Sequence, residues 1–157
     1  MNETVYVETS ILGYLTARSS RDLIVAANIE LTRNWWESRR QDFTLYVSQA
    51  VLIETAQGDE DVAAQRLAIA REYPLLDLNQ NVEALAAQFL GRSNLPSKAE
   101  VDAIHIAVAT VHGMDYLLTW NCKHIANAQI QRKLAEVSLD CGYQLPLICT
   151  PYELLGE

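Results

Sequence analysis

No apolar run in this 157-residue chain approaches the roughly 20 residues needed to cross a bilayer. The opening stretch MNETVYVE also lacks the charged-then-apolar order of a secretory signal. The expectation is therefore no membrane span and a cytoplasmic location. Cysteine is scarce. Three residues, odd in number and widely spaced, argue against a disulfide framework and fit a reducing compartment. Glycine and proline are also few, six and four, and no linker, internal repeat or low-complexity tract is visible. Positive charge is short as well: 12 Lys and Arg stand against 20 Asp and Glu, a net charge of −8. A broad, non-specific binder of phosphate backbones normally carries a basic surface, so that class loses support. An acidic cluster that holds a divalent metal, or a basic partner, accounts for the balance. No Walker A loop and no G-x-G-x-x-G is found, which leaves nucleotide-dependent chemistry without its usual phosphate cradle. No Ser-His-Asp or Cys-His nucleophile set stands out.

What is present is ordinary globular material. Half the residues are apolar and a fifth are charged, enough for one domain over residues 1–157 with a real core. Thr4 to Glu8 reads as a first strand buried on both faces, and Phe43 to Val47 as a second. Pro74 to Asp77 gives a short third strand, Tyr116 to Thr119 a fourth, and Leu145 to Cys149 an edge strand that tolerates its proline. Helices are expected between them. Arg21 to Arg40 carries Ile24, Ala27, Leu31 and Trp35 on one face. Ser48 is placed to cap the helix QAVLIETAQ, and Asp59 to Glu72 is a further amphipathic helix. Asn79 or Asn81 is placed to cap Val82 to Leu90, and a last helix spans about Ala128 to Leu139. Strands alternating with helices indicate an α/β fold with a mostly parallel sheet of about five short strands.

The most informative stretch is Ser97 to Asn121, SKAEVDAIHIAVATVHGMDYLLTWN. Ser97 and Glu100 have capping-box spacing, and Gly113 is a typical residue to close the helix. From Asp102 to His112 the helix rises about 15 Å, and from Tyr116 to Asn121 the strand rises about 16 Å. Joined by a tight turn, the two place Asp102 level with Thr119, Trp120 and Asn121. Glu8, with Thr9 and Ser10 behind it, ends the first strand, and Glu54 lies in the second turn of the helix after the second strand. Glu8, Glu54, Asp102 and Asn121 thereby share the carboxyl edge of the sheet, where open α/β folds bind ligands. Three carboxylates brought together repel unless a cation joins them. Mg²⁺ or Mn²⁺ answers that need, with Glu8, Glu54 and Asp102 as oxygen ligands. Such a site suits phosphodiester hydrolysis, with Asn121 orienting a water or phosphate oxygen.

Across nearly its whole length the chain resembles the PIN domain family, metal-dependent ribonucleases that include the toxins of VapBC-type toxin–antitoxin pairs. The resemblance is carried by Val5-Tyr-Val-Glu-Thr-Ser-Ile11, Glu54 in VLIETAQG, Asp102-Ala-Ile-His-Ile-Ala107 and Leu117-Leu-Thr-Trp-Asn121, in that order. It implies a three-layer α/β/α fold, often homodimeric. It also implies an RNA substrate, a small antitoxin partner, and a pocket of Glu8, Glu54, Asp102 and Asn121 supported by Thr9, Ser10 and Thr119. Glu8 stands where the family usually has Asp, and Asn121 where Asp is common. A PIN-like module that binds RNA or protein without cutting is the rival reading. A metal phosphohydrolase acting on small phosphate esters is a third.

Other residues have competing readings. His105 lies three residues after Asp102 on the same helical face, where it reads as a hydrogen-bonded histidine under the site in preference to a metal ligand. His124 either meets an RNA phosphate or belongs to a loop that caps the next helix. Thr9 or Ser10 could simply cap the helix that follows. Arg18 and Arg21 could meet a phosphate, and Trp35 and Trp36 read as packing in preference to base stacking. Cys122, His124, Cys141 and Cys149 lack the paired spacing of a zinc site.

Overall fold

The computed structural model describes residues 2–156. Five strands form one sheet: β1 (Thr4–Val7), β2 (Thr44–Ser48), β3 (Leu75–Leu76), β4 (Tyr116–Leu118) and β5 (Leu147–Cys149). Their order is β3-β2-β1-β4-β5, and every adjacent pair is parallel. Seven helices complete the three-layer α/β/α architecture: α1 (Thr9–Leu15), α2 (Leu23–Ser38), α3 (Gln49–Thr55), α4 (Glu60–Ala70), α5 (Gln80–Arg92), α6 (Glu100–Val111) and α7 (Ala128–Asp140). One group packs α1 with α2, α3 and α4, and the other packs α5 with α6 and α7.

The central strand is β1, and Val5, Tyr6 and Val7 are fully buried there with Leu117 and Leu118 of β4 beside them. A strand covered on both faces needs a continuous apolar run, which TVYV nearly supplies. Tyr6 is the exception, a buried phenol that requires a polar partner. Helix α6 is buried on almost every side, from Ala103 through Thr110 except Ile104. Its small residues Ala103, Ala107 and Ala109 let it lie close to its neighbours. Gly113 closes it with a left-handed φ of +68°, a conformation that costs glycine nothing. The turn brings the chain directly into β4. At the amino edge of the sheet, Asp115 Oδ2 accepts from the Thr4 backbone N–H at 2.8 Å, and the Thr4 hydroxyl accepts from the Asp115 N–H at 3.0 Å. This clasp joins the starts of β1 and β4.

Some local expectations need correction. Ser97–Ala99 is a 3-10 turn with no side-chain cap, and α6 begins at Glu100. Its tight backbone bond from Ala99 N–H to Pro96 O occupies the first turn in place of the capping box. A capping box does form at Thr150 and Glu153, before the 3-10 turn Pro151–Leu154. Ser48 stands at the N-cap of α3 without making a cap bond. The buried face of α2 is Ile29, Thr32 and Trp35, while Ile24 is 74% exposed. Thr32 turns inward because its hydroxyl accepts the Trp120 indole N–H at 2.7 Å, a distant partner that helical periodicity cannot reveal. Trp35 is core, stacked on Phe43 and donating its indole N–H to Leu154 O.

Candidate functional site

Sheet order reverses direction between β1 and β4, and the carboxyl ends of strands at such a switch point are where open α/β sheets bind ligands. One step beyond the paired Val7 and Leu118, Glu8 faces Thr119. Glu8 is the N-cap of α1, and it, instead of Thr9 or Ser10, supplies the cap: its Oε2 accepts the Ser10 N–H at 3.1 Å. Its Oε1 accepts the hydroxyls of Ser10 and Thr119. The Ser10 oxygen also receives the Trp120 N–H at 2.7 Å, and the Thr119 oxygen receives the Asn121 N–H at 2.9 Å. Glu8 is thus almost buried yet held by donors at both oxygens, the condition under which a carboxylate tolerates burial.

Glu54 reaches the same edge from α3. Its Oε1 accepts the Thr9 hydroxyl at 2.5 Å and meets His105 Nε2 at 2.5 Å. His105 has no exposed surface; its Nδ1 lies 2.6 Å from the Tyr6 hydroxyl, which lies 2.8 Å from Ser48 Oγ. Burial alone would push Glu54 up, but the His105 hydrogen bond and charge, with the Thr9 hydroxyl, hold it below the usual carboxylate value. Burial alone would push His105 down. The Glu54 hydrogen bond and the charges of Glu8, Glu54 and Asp102 outweigh it and raise His105 above the ordinary imidazole value. The Tyr6 phenol is raised well above its usual range, first by burial and also by Glu8 and Glu54.

One ligand atom from each of Glu8, Glu54 and His105 lies within 4.8 Å of the others. Asp102 is outside that group. Its Oδ1 accepts from Asn121 Nδ2 at 3.1 Å, and its Oδ2 lies 2.9 Å from His124 Nδ1. The Asn121 side-chain Oδ1 in turn accepts the His124 backbone N–H at 3.0 Å. The expected levelling of Asp102 with Asn121 therefore holds, and Thr119 links the two halves by touching both Glu8 and the Asn121 N–H. Two hard carboxylates this close, with Glu54 Oε2 free of hydrogen bonds among the described residues, fit a small divalent cation.

Residue order alone did not expose Tyr6 and Ser48. The available signals were a tyrosine within an otherwise aliphatic strand and a serine at a cap position. His105 is hydrogen-bonded beneath the carboxylates, as its position beside Asp102 suggests. His124 turns its Nδ1 to Asp102. Arg18 and Arg21 are exposed at the surface. Cys122 and Cys141 are exposed and Cys149 is buried, and no cysteine enters the metal-sized group found among the described residues.

Comparison with known proteins agrees with this fold. No curated protein matches the chain. Among solved structures, the Mycobacterium tuberculosis toxin VapC20, described as cleaving the sarcin–ricin loop, superimposes with a TM-score of 0.59 at 19% identity. The match covers 76% of this chain and 91% of that one, and shows a shared fold. The PIN domain family model matches residues 5–124, which contain Glu8, Glu54, Asp102, Asn121 and His124. The chain belongs to the PIN domain family.

Proposed function

We propose that this chain is a Mg²⁺- or Mn²⁺-dependent endoribonuclease that hydrolyses RNA phosphodiester bonds, and the toxin of a type II toxin–antitoxin pair. The observation that carries this reading is the pair Glu8 and Glu54, brought within metal-ligand spacing at the carboxyl edge of the sheet. Glu8, Glu54 and Asp102 would hold the ion. A bound divalent ion supplies a hydroxide at neutral pH and charge stabilisation for the phosphodiester. Thr9, Ser10 and Thr119 hold the two glutamates in place. Asn121 fixes Asp102 and is placed to orient a water or phosphate oxygen, and His124 to meet the RNA phosphate. Residues 1–157 act as one domain in a homodimer, located in the cytoplasm and restrained by a small antitoxin. The VapC20 likeness and the family match support the ribonuclease class.

The test is incubation of the purified protein with structured RNAs, with Mn²⁺ or with EDTA, beside Asp102→Asn. Metal-dependent cleavage that the variant loses is the expected result. Equal cleavage by the variant removes Asp102 from the mechanism, and no cleavage of any RNA sinks the nuclease reading. A second reading, a PIN module that binds RNA or protein without cutting, is favoured by Glu8, whose two oxygens already accept three hydrogen bonds.

A further inference from the structure

We propose that His105 is a positioning residue for Glu54: a buried Ser48–Tyr6 hydroxyl pair locks it so that it directs one Glu54 oxygen toward a divalent cation without ligating the ion itself. The inference rests on the metal-site reading above and says which side chains prepare that site.

Ser48, Tyr6 and His105 are all completely buried. They form one line, 2.8 Å from Ser48 Oγ to Tyr6 Oη, 2.6 Å to His105 Nδ1, and 2.5 Å from His105 Nε2 to Glu54 Oε1. Three polar side chains inside a sheet–helix core carry a desolvation cost that aliphatic residues would avoid. Ending on Glu54 offsets part of that cost and ties the line to a carboxylate of the candidate site. Ser48 adds a second sign, because its hydroxyl gives up the α3 cap to bond Tyr6.

Counting donors sets the direction of each bond. Glu54 is an acceptor, so His105 Nε2 carries a hydrogen in either protonation state. In neutral His105, Ser48 donates to Tyr6 and Tyr6 donates to Nδ1. In the cation, Nδ1–H donates to Tyr6 and Tyr6 donates to Ser48. The hydroxyls turn to suit both cases. A ring nitrogen that bears a hydrogen cannot ligate a cation. Of the three groups within 4.8 Å, only the carboxylates then have an atom available to ligate a metal. His105 and Thr9 both fall on Glu54 Oε1, which leaves Oε2 as the oxygen turned to the ion. Outer partners of this kind fix the orientation and basicity of metal ligands.

The experiment is calorimetric titration of Mn²⁺ into the unsubstituted protein, Tyr6→Phe, Ser48→Ala and Trp35→Phe. The last is a matched control that removes a buried donor bonded to Leu154, away from the site. Tyr6→Phe should weaken Mn²⁺ binding about 10- to 100-fold, Ser48→Ala should weaken it less, and Trp35→Phe should leave it unchanged. Long-range ¹H–¹⁵N spectra should show hydrogen on His105 Nε2 before and after Mg²⁺ addition. Undiminished Mn²⁺ affinity in Tyr6→Phe overturns the positioning role alone, and Ser48→Ala decides the matter if Tyr6→Phe does not fold. Loss of the Nε2 hydrogen on Mg²⁺ addition makes His105 a ligand and likewise overturns it. No Mn²⁺ binding by the unsubstituted protein removes the metal-site reading itself, and the proposal with it.

Discussion

Asp102 and His124 form a carboxylate–imidazole pair between the first turn of α6 and the loop after β4, with Oδ2 and Nδ1 2.9 Å apart. Asn121 takes the other carboxylate oxygen at 3.1 Å. Asp102 therefore has two roles open to it: oxygen ligand for the cation and anchor for a histidine on the loop after β4. Asp102→Asn keeps the shape, loses the charge and weakens both. Cleavage of RNA should fall by about 100-fold or more, and His124→Gln should cost roughly 10-fold. Initial rates on one structured RNA, with and without EDTA, measure both.

Glu8 offers a test of how side-chain length sets the site. Its longer side chain reaches Ser10 and Thr119 together. Aspartate at this position would be one methylene too short to keep both hydroxyls. Glu8→Asp should therefore destabilise the fold by about 1–3 kcal/mol, a drop of several degrees in melting temperature. It should also weaken Mn²⁺ binding. Scanning calorimetry and Mn²⁺ titration give the two answers.

Stability should depend on pH through Glu54 and His105, measured in EDTA. Glu54 is depressed in the folded state, so its contribution is present above the unfolded carboxylate value of about 4.3 and is lost as pH falls through its lowered value. His105 is raised, so its contribution is complete below the unfolded value of about 6.5 and is lost as pH rises through its raised value. The pair should therefore support the fold most in the weakly acidic range and decline on both sides. Melting temperatures of the unsubstituted protein and His105→Gln across pH should converge as the pH rises. Parallel curves would remove His105 as the source.

The thiols should react unequally. Burial, and next the charge of Glu153, push the Cys149 thiol up to about 12, so at neutral pH it is both shielded and protonated. Cys141 is exposed, and Cys122 is exposed but raised by partial burial and Glu153. A disulfide reagent should label Cys141 first and Cys122 more slowly, with Cys149 labelled only after denaturation. Mass spectrometry of the labelled peptides reads the order.

Elements and edges were legible in the sequence where local chemistry decides them. Gly113 and Asn79 mark helix ends, and the lengths of α6 and β4 place Asp102 beside Asn121 without any tertiary information. Reading failed where a remote partner outcompetes a local rule. Ser48 forgoes its cap for Tyr6, and Thr32 turns inward for Trp120. The Ser97 box gives way to a 3-10 turn. The candidate site shows the same division. Its carboxylates could be found from strand ends, whereas the line of polar groups behind Glu54 joins positions up to 99 residues apart and has no periodicity to betray it.

The Thr4–Asp115 clasp lies at the end of the sheet opposite the carboxylates. Parallel strands can slide along one another by whole steps, and each step of β4 against β1 would carry Thr119 about 3.3 Å past Glu8. By tying the two strand starts together, the clasp works as a distant zero mark from which the chain measures out the alignment of Glu8 with Thr119 and, through the next residues, of Asn121 with Asp102.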